Sequence, residues 1–155
     1  MVVSNQDLVK GSLLQIKIDN QILGFATSHS LSITTNTTEV STKDHGDYPA
    51  VIAQTISWEV QCENLYTDKN GAYLMSIQTA KKPVTLLFSR IQGDELASKG
   101  IVDKNTDWTI NENDFILSGQ ALLTSFSINA PNGDQATISC TFTGIGAFES
   151  EIPQQ

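Results

Sequence analysis

Cysteine is scarce, with two among 155 residues, which is too few for a disulfide scaffold. Cys62 and Cys140 each sit in an alternating strand pattern as small apolar residues, and this predicts two free thiols in a core. Positive charge is also scarce. Nine Lys and Arg against 17 Asp and Glu give a formal net charge of -8. The surface as a whole should therefore repel nucleic acid and anionic lipid, which excludes a sequence-reading DNA binder that works by releasing counterions from phosphate. Long apolar runs are missing: nothing approaches the roughly 18 consecutive apolar residues of a membrane-spanning helix. Met1 to Gly11 has neither the charged start nor the apolar run of a signal peptide, so we expect a protein made and kept in a cytoplasm, with no membrane partner. No Walker-type loop or dinucleotide glycine pattern occurs. Gly144-Ile145-Gly146 falls at the end of a strand pattern with no helix pattern after it, which leaves phosphate binding without support.

What is present points to a single domain, 1–155, of mainly β structure. A chain of this length buries roughly 70% of its unfolded surface and forms a core unaided. Its composition is ordinary (39% hydrophobic, 17% charged), but hydroxyl residues are dense, as in Ser28 to Thr38, and suit strands and turns. Leu14, Ile16 and Ile18 alternate with polar residues, Asp19-Asn20 supplies a turn, and Ile22 to Ala26 returns, which reads as a hairpin. Leu31 and Ile33 continue the β pattern toward Thr35. From Asn36 to Ala53 the alternation fades, and Lys43 to Pro49 is polar with both Gly and Pro, predicting a long loop. The clearest strand follows: Ile56, Trp58, Val60 and Cys62 face one way, and Ser57, Glu59, Gln61 and Glu63 the other.

The one good helix lies between Asp68 and Lys82, with Tyr73, Leu74, Ile77 and Ala80 along one side, Asp68 or Asn70 as cap and Pro83 ending it. Val84 to Phe88 is β-like, and Gln92 to Asn113 is a second polar loop region. The last third reads as a long hairpin, Phe115 to Asn129, then Pro131-Asn132-Gly133-Asp134, then Gln135 to Gly144. In its return strand Ala136, Ile138, Cys140 and Phe142 alternate with the small, uncharged set Thr137, Ser139, Thr141 and Thr143.

Candidates for chemistry are weak. Asp44-His45-Gly46-Asp47 has metal-ligand residue types but not the spacing of a metal loop, and solvated loop charges explain it better. His29 has no Gly-x-Ser-x-Gly nucleophile to serve and reads as a strand-edge polar residue. Asp94 and Glu95 are adjacent on a charged loop, where carboxylates rarely converge on one substrate. Trp58 lies on an apolar strand face and reads as core; Trp108 could be either core or a stacking platform. No metal, cofactor or enzyme active site is expected.

Several stretches resemble one family closely. They are Ala26-Thr27-Ser28-His29-Ser30-Leu31-Ser32-Ile33, Thr38-Glu39-Val40-Ser41-Thr42-Lys43-Asp44, Ile56-Ser57-Trp58-Glu59-Val60 leading to Leu65-Tyr66, and Gly119 to Pro131 through Phe142-Thr143-Gly144. From about Gly24 to Phe148 the chain is similar to the major tail tube proteins of long-tailed bacteriophages. That resemblance implies a tail-tube-type β-sandwich or barrel with one flanking α-helix and long polar loops. It also implies self-assembly as stacked, hexameric rings around a channel, in a virion tail built in the bacterial host cytoplasm. DNA would transit the lumen without specific binding, past a wall that repels rather than grips. Tape-measure, baseplate or initiator, and tail terminator proteins are the further partners implied.

The family's long loop typically reaches the neighbouring ring. Here it would be Asn36 to Thr55, with Thr42, Lys43, Asp44, His45, Gly46, Asp47, Tyr48 and Pro49 as the contact. The wet faces supply candidate lumen residues Glu59, Gln61, Glu63, Thr137, Ser139 and Thr141. The same tube fold resembles the inner tubes of type VI secretion and contractile injection particles. A β-sandwich binding module with Trp108 on an exposed platform is the rival from another class.

Overall fold

The computed structural model of the chain describes residues 14–19, 21–23, 26–40, 42–91 and 110–150. Seven strands, β1 (Leu14–Ile18), β2 (Gln21–Ile22), β3 (Ala26–Val40), β4 (Ala50–Leu65), β5 (Val84–Ile91), β6 (Ile110–Asn129) and β7 (Thr137–Glu149), form one sheet in the order β2-β1-β5-β6-β7-β4-β3. All neighbours are antiparallel. The sheet curls, because β1 comes into contact with β3 although β5, β6, β7 and β4 lie between them in the ladder order. Its inner face and the α-helix α1 (Asp68–Ala80) enclose the core, so the barrel-like form of the expected fold is the one observed.

Alternation puts the expected residues inside. Trp58, Val60 and Cys62 of β4, Ile138, Cys140 and Phe142 of β7, Leu117, Ala121 and Leu123 of β6, and Ile16 and Ile18 of β1 are all buried. Trp58 occupies a slot made by two glycines. A side chain on Gly144 would overlap the indole atoms Cε2, Cδ2 and Nε1, and one on Gly119 would come within 2.9 Å of Cζ2. The indole Nε1 donates to the Gly146 carbonyl at 3.1 Å, and the ring meets Phe148 edge-on at 6.2 Å. Gly146 itself has φ +72 within a bulge of β7 against β6, a backbone that L side chains rarely adopt.

The cysteines are buried as expected but not free. Cys62 and Cys140 are directly opposite each other in the β4–β7 ladder, with Cα atoms 5.4 Å apart, and they are joined as a disulfide. Periodicity along each strand gave burial; the register between strands 78 residues apart gave the bond.

Helix α1 follows its prediction with two adjustments. Its N-cap is Thr67, whose hydroxyl accepts from the Asn70 N–H at 3.2 Å, rather than Asp68 or Asn70. Lys81 ends it in the left-handed region, returning its N–H to the Ile77 carbonyl two residues before Pro83. Gly71, Leu74 and Ile77 are the buried positions, Tyr73 is half-buried, and Ala80 is exposed.

The predicted loop from Asn36 to Ala53, or to Thr55, is mostly strand. β3 runs on to Val40 and β4 starts at Ala50, so only 41–49 connects them. The loop at Gln92 to Asn113 lies outside the described residues as far as 109, as do Asp94, Glu95 and Trp108; residues 110–113 already belong to β6.

Candidate assembly surfaces

The outer face of β3-β4-β7-β6 gathers the predicted polar residues. Glu59 opposes Thr143, Gln61 opposes Thr141, Glu63 opposes Ser139 and Leu65 opposes Thr137. The next strands extend the same face: Ser32, Ser30 and Ser28 oppose Glu59, Gln61 and Glu63 on one side, while Ser125 and Ser127 oppose Thr141 and Ser139 on the other. All six candidate lumen residues therefore share one sheet face, since directly paired residues point the same way. Across β3 from 28 to 34, β4 from 57 to 63, β7 from 137 to 143 and β6 from 124 to 129, Glu59 and Glu63 are the charged residues, both negative. Gln61 donates to the Glu59 carboxylate at 2.7 Å. Thr124 donates to the Thr141 carbonyl at 3.2 Å and lies 3.1 Å from the Thr143 hydroxyl, which ties the face together with short hydroxyl contacts.

The second surface is an arm. β4 pairs with β7 from Glu59 onward, so residues 34–40 and 50–57 form a two-stranded ribbon projecting from the sheet. Asn36 reaches Thr55 at 2.9 Å across a bulge in the ribbon. Thr42, Lys43, Asp44, His45, Gly46, Asp47, Tyr48 and Pro49 make its tip, with one helical turn at Lys43–His45, Gly46 at φ +61 and Tyr48 83% exposed. Ile33, Val51, Ile52 and Ile56 are roughly half exposed or more along or beside the stem. These stem residues are absent from the sequence-based site; the β-branched density of Ala50 to Ile56 was the available signal.

The third surface is the edge. β3 is fifteen residues long and, among the described residues, pairs with β4 alone, while the opposite edge strand, β2, has two residues. A long unpaired edge is a template for another strand. His29 lies on β3 opposite Cys62 and so turns toward the inner side of the sheet, rather than standing at a wet edge. Both of its ring nitrogens are occluded without a hydrogen-bond partner among the described residues, and burial holds its pKa below the ordinary imidazole value.

Two phenols shift the other way. Tyr66 is raised mainly by its hydrogen bond to Asp68, and Tyr73 by burial and then by the Asp19 charge. Among the described residues no three His, Cys, Asp or Glu side chains gather as a metal site, and no helix is long and apolar enough to cross a membrane.

Comparison with known proteins bears on these surfaces. The family model described as phage tail tube protein matches residues 8–150. A chain in a structure of the virion of a native gene transfer agent particle is similar in fold, with a TM-score of 0.69 and 15% identity, over 92% of this chain and 98% of that one. A chain from the tail of an empty gene transfer agent particle, refined with C6 symmetry, gives a TM-score of 0.68 and 14% identity over the same shares. A search of curated proteins finds no match.

Proposed function

The chain belongs to the phage tail tube protein family and has a structural role in a tail tube; on that premise we propose that it assembles as stacked six-membered rings whose channel is lined by the polar face bearing Glu59, Gln61, Glu63, Thr137, Ser139 and Thr141. The observation that carries this is the charge pattern of that face. Four adjoining strands present hydroxyls and amides, with carboxylates as the charged groups. Every Lys or Arg on such a wall would form a phosphate contact favoured by counterion release, and would hold DNA in place. Carboxylates and hydroxyls leave it free to pass during ejection. The β3 edge supports ring closure, because strand-to-strand joining between copies satisfies its open backbone groups. Residues 42–49 at the arm tip make the contact to the neighbouring ring. Tape-measure, initiator and terminator proteins complete the assembly as further partners.

Negative-stain electron microscopy of the purified protein at high concentration tests the assembly, with rings or hollow filaments expected. Replacing Asp44 to Pro49 by a short glycine-serine linker should leave the fold intact and stop tube growth; normal tubes from that variant would remove the tip from the stacking contact. The Glu59→Lys/Glu63→Lys variant tests the lumen: its tubes should retain short duplex DNA that wild-type tubes release. Equal release would place the channel on another face.

A further inference from the structure

Across the inner side of the sheet, three consecutive ladders set four residues in one row: His29 on β3 opposite Cys62 on β4, Cys62 opposite Cys140 on β7, and Cys140 opposite Phe126 on β6. Directly opposed side chains have Cβ atoms about 4.5–5.5 Å apart, which sets His29 beside Cys62 on the side away from Cys140. We propose that this row is a thiol–disulfide exchange site, in which Cys62 is the attacking thiol, His29 takes its proton and Cys140 resolves the mixed disulfide.

Strand order ranks the two sulfurs. Both cysteines are 2% exposed, so a small disulfide reaches them by local opening of the sheet. The strand flanking Cys62 is β3, an edge held by one ladder, whereas Cys140 lies between β4 and β6, each paired on both sides. Edge strands open at lower free energy than central ones, which exposes Cys62 first. His29 is suited to the proton transfer because neither ring nitrogen is committed to a hydrogen bond. Cys62 is the titratable group that faces it from β4, while Glu59 and Glu63 point to the opposite side of the sheet. Burial favours the neutral imidazole, the form that takes a proton from a thiol.

The chemistry balances with a low-molecular-weight disulfide such as oxidised glutathione as oxidant. The Cys62 thiol gives its proton to His29, and the thiolate attacks one glutathione sulfur, releasing the first glutathione. The released glutathione thiolate takes the Cys140 proton; the Cys140 thiolate then attacks the Cys62 sulfur and expels the second glutathione as a thiolate, which takes the proton held on His29. Two protein thiols become one disulfide, and one oxidised glutathione becomes two reduced ones. Resting on the tail tube reading, closure belongs after release from the reducing host cytoplasm. The exchange itself is measured on the unassembled chain, so its failure is distinct from a failure to form tubes.

The test starts from full-length chain reduced with dithiothreitol, desalted and mixed with oxidised glutathione, with acid-quenched samples read by mass spectrometry. Cys140→Ser should accumulate one glutathione on Cys62, and Cys62→Ser should capture it at least about tenfold more slowly. His29→Gln should close about tenfold more slowly than wild type near pH 7, with the difference vanishing near pH 9, where a thiol ionises unaided. Wild-type closure rates in His29→Gln, or equal capture by the two serine variants, would overturn the proposal. Iodoacetamide labelling of the reduced, unmutated chain with peptide mapping reads the same order without any substitution: Cys62 should react before Cys140, and equal labelling would also overturn it.

Discussion

Replacing Gly144 by Ala is the sharpest test of how the core is packed. The added methyl has no space, because it would overlap three atoms of the fused indole system of Trp58. The ring cannot retreat cheaply. Its Nε1 is tied to the Gly146 carbonyl at 3.1 Å, its edge meets Phe148, and Gly119 bounds it on the β6 side. Forcing a methyl into a packed core costs about 1–3 kcal/mol; losing the hydrogen bond adds about 1 kcal/mol, and losing the ring pair about 0.5–1.5 kcal/mol. A destabilisation of about 3 kcal/mol lowers the melting midpoint of a chain this size by roughly 6–12 °C. Thermal melts followed by far-UV circular dichroism measure it, and urea titrations should show a lower midpoint at unchanged slope. The cause is checked by a double-mutant cycle: in a Trp58→Leu background the same Gly144→Ala change should cost less than about 1 kcal/mol. A wild-type midpoint for Gly144→Ala, or an equal cost in both backgrounds, refutes the slot.

Two other outcomes follow from the same interior. Reducing the Cys62–Cys140 bond, or making Cys140→Ser, frees a loop closed over a separation of 78 residues and should cost about 4.5 kcal/mol by loop entropy; equal urea midpoints with and without a phosphine reductant would contradict this. Burial lowers the His29 pKa in the folded chain, so the unfolded chain binds more protons as pH falls. The stability contributed by neutral His29 is full above about pH 6.5 and is lost as pH drops through that value toward the folded pKa. The unfolding midpoint should fall between about pH 7.5 and 5.5, and His29→Gln should remove that part of the fall.

The sequence was most legible where one face of a strand is buried. Ile56 to Glu63 alternates because Trp58, Val60 and Cys62 meet the core while Glu59, Gln61 and Glu63 do not, and the structure keeps that division. It was least legible in the arm. Residues 34–40 are Thr, Asn, Glu and Val, almost all exposed, and 51–57 is exposed throughout, so neither face is selected for apolar residues and no alternation develops. Alternation reports one-sided burial, not extended backbone. The candidate wall residues were readable as two separate polar sets; their union into one face depends on the Glu59–Thr143 and Gln61–Thr141 register, which no single strand encodes. The cysteine bond was hidden for the same reason. The helix could be placed from its period and Pro83, but the choice of Thr67 as cap rests on its extended backbone.

The strand order also governs how the chain is made. β3 and β4 can zip into their hairpin as soon as Leu65 has been synthesised, but the other edge of β4 waits for β7, and its Cys62 finds Cys140 only 78 residues later. Until then the growing chain carries an open inner edge beside the open outer edge of β3. Pairings this distant in sequence form slowly. The order of synthesis thus leaves an interval in which two incomplete copies can join through β4, a position that β7 occupies in the finished fold. The interval closes when the β6–β7 hairpin, whose strands are separated by the short turn around Pro131 to Asp134, docks on β4.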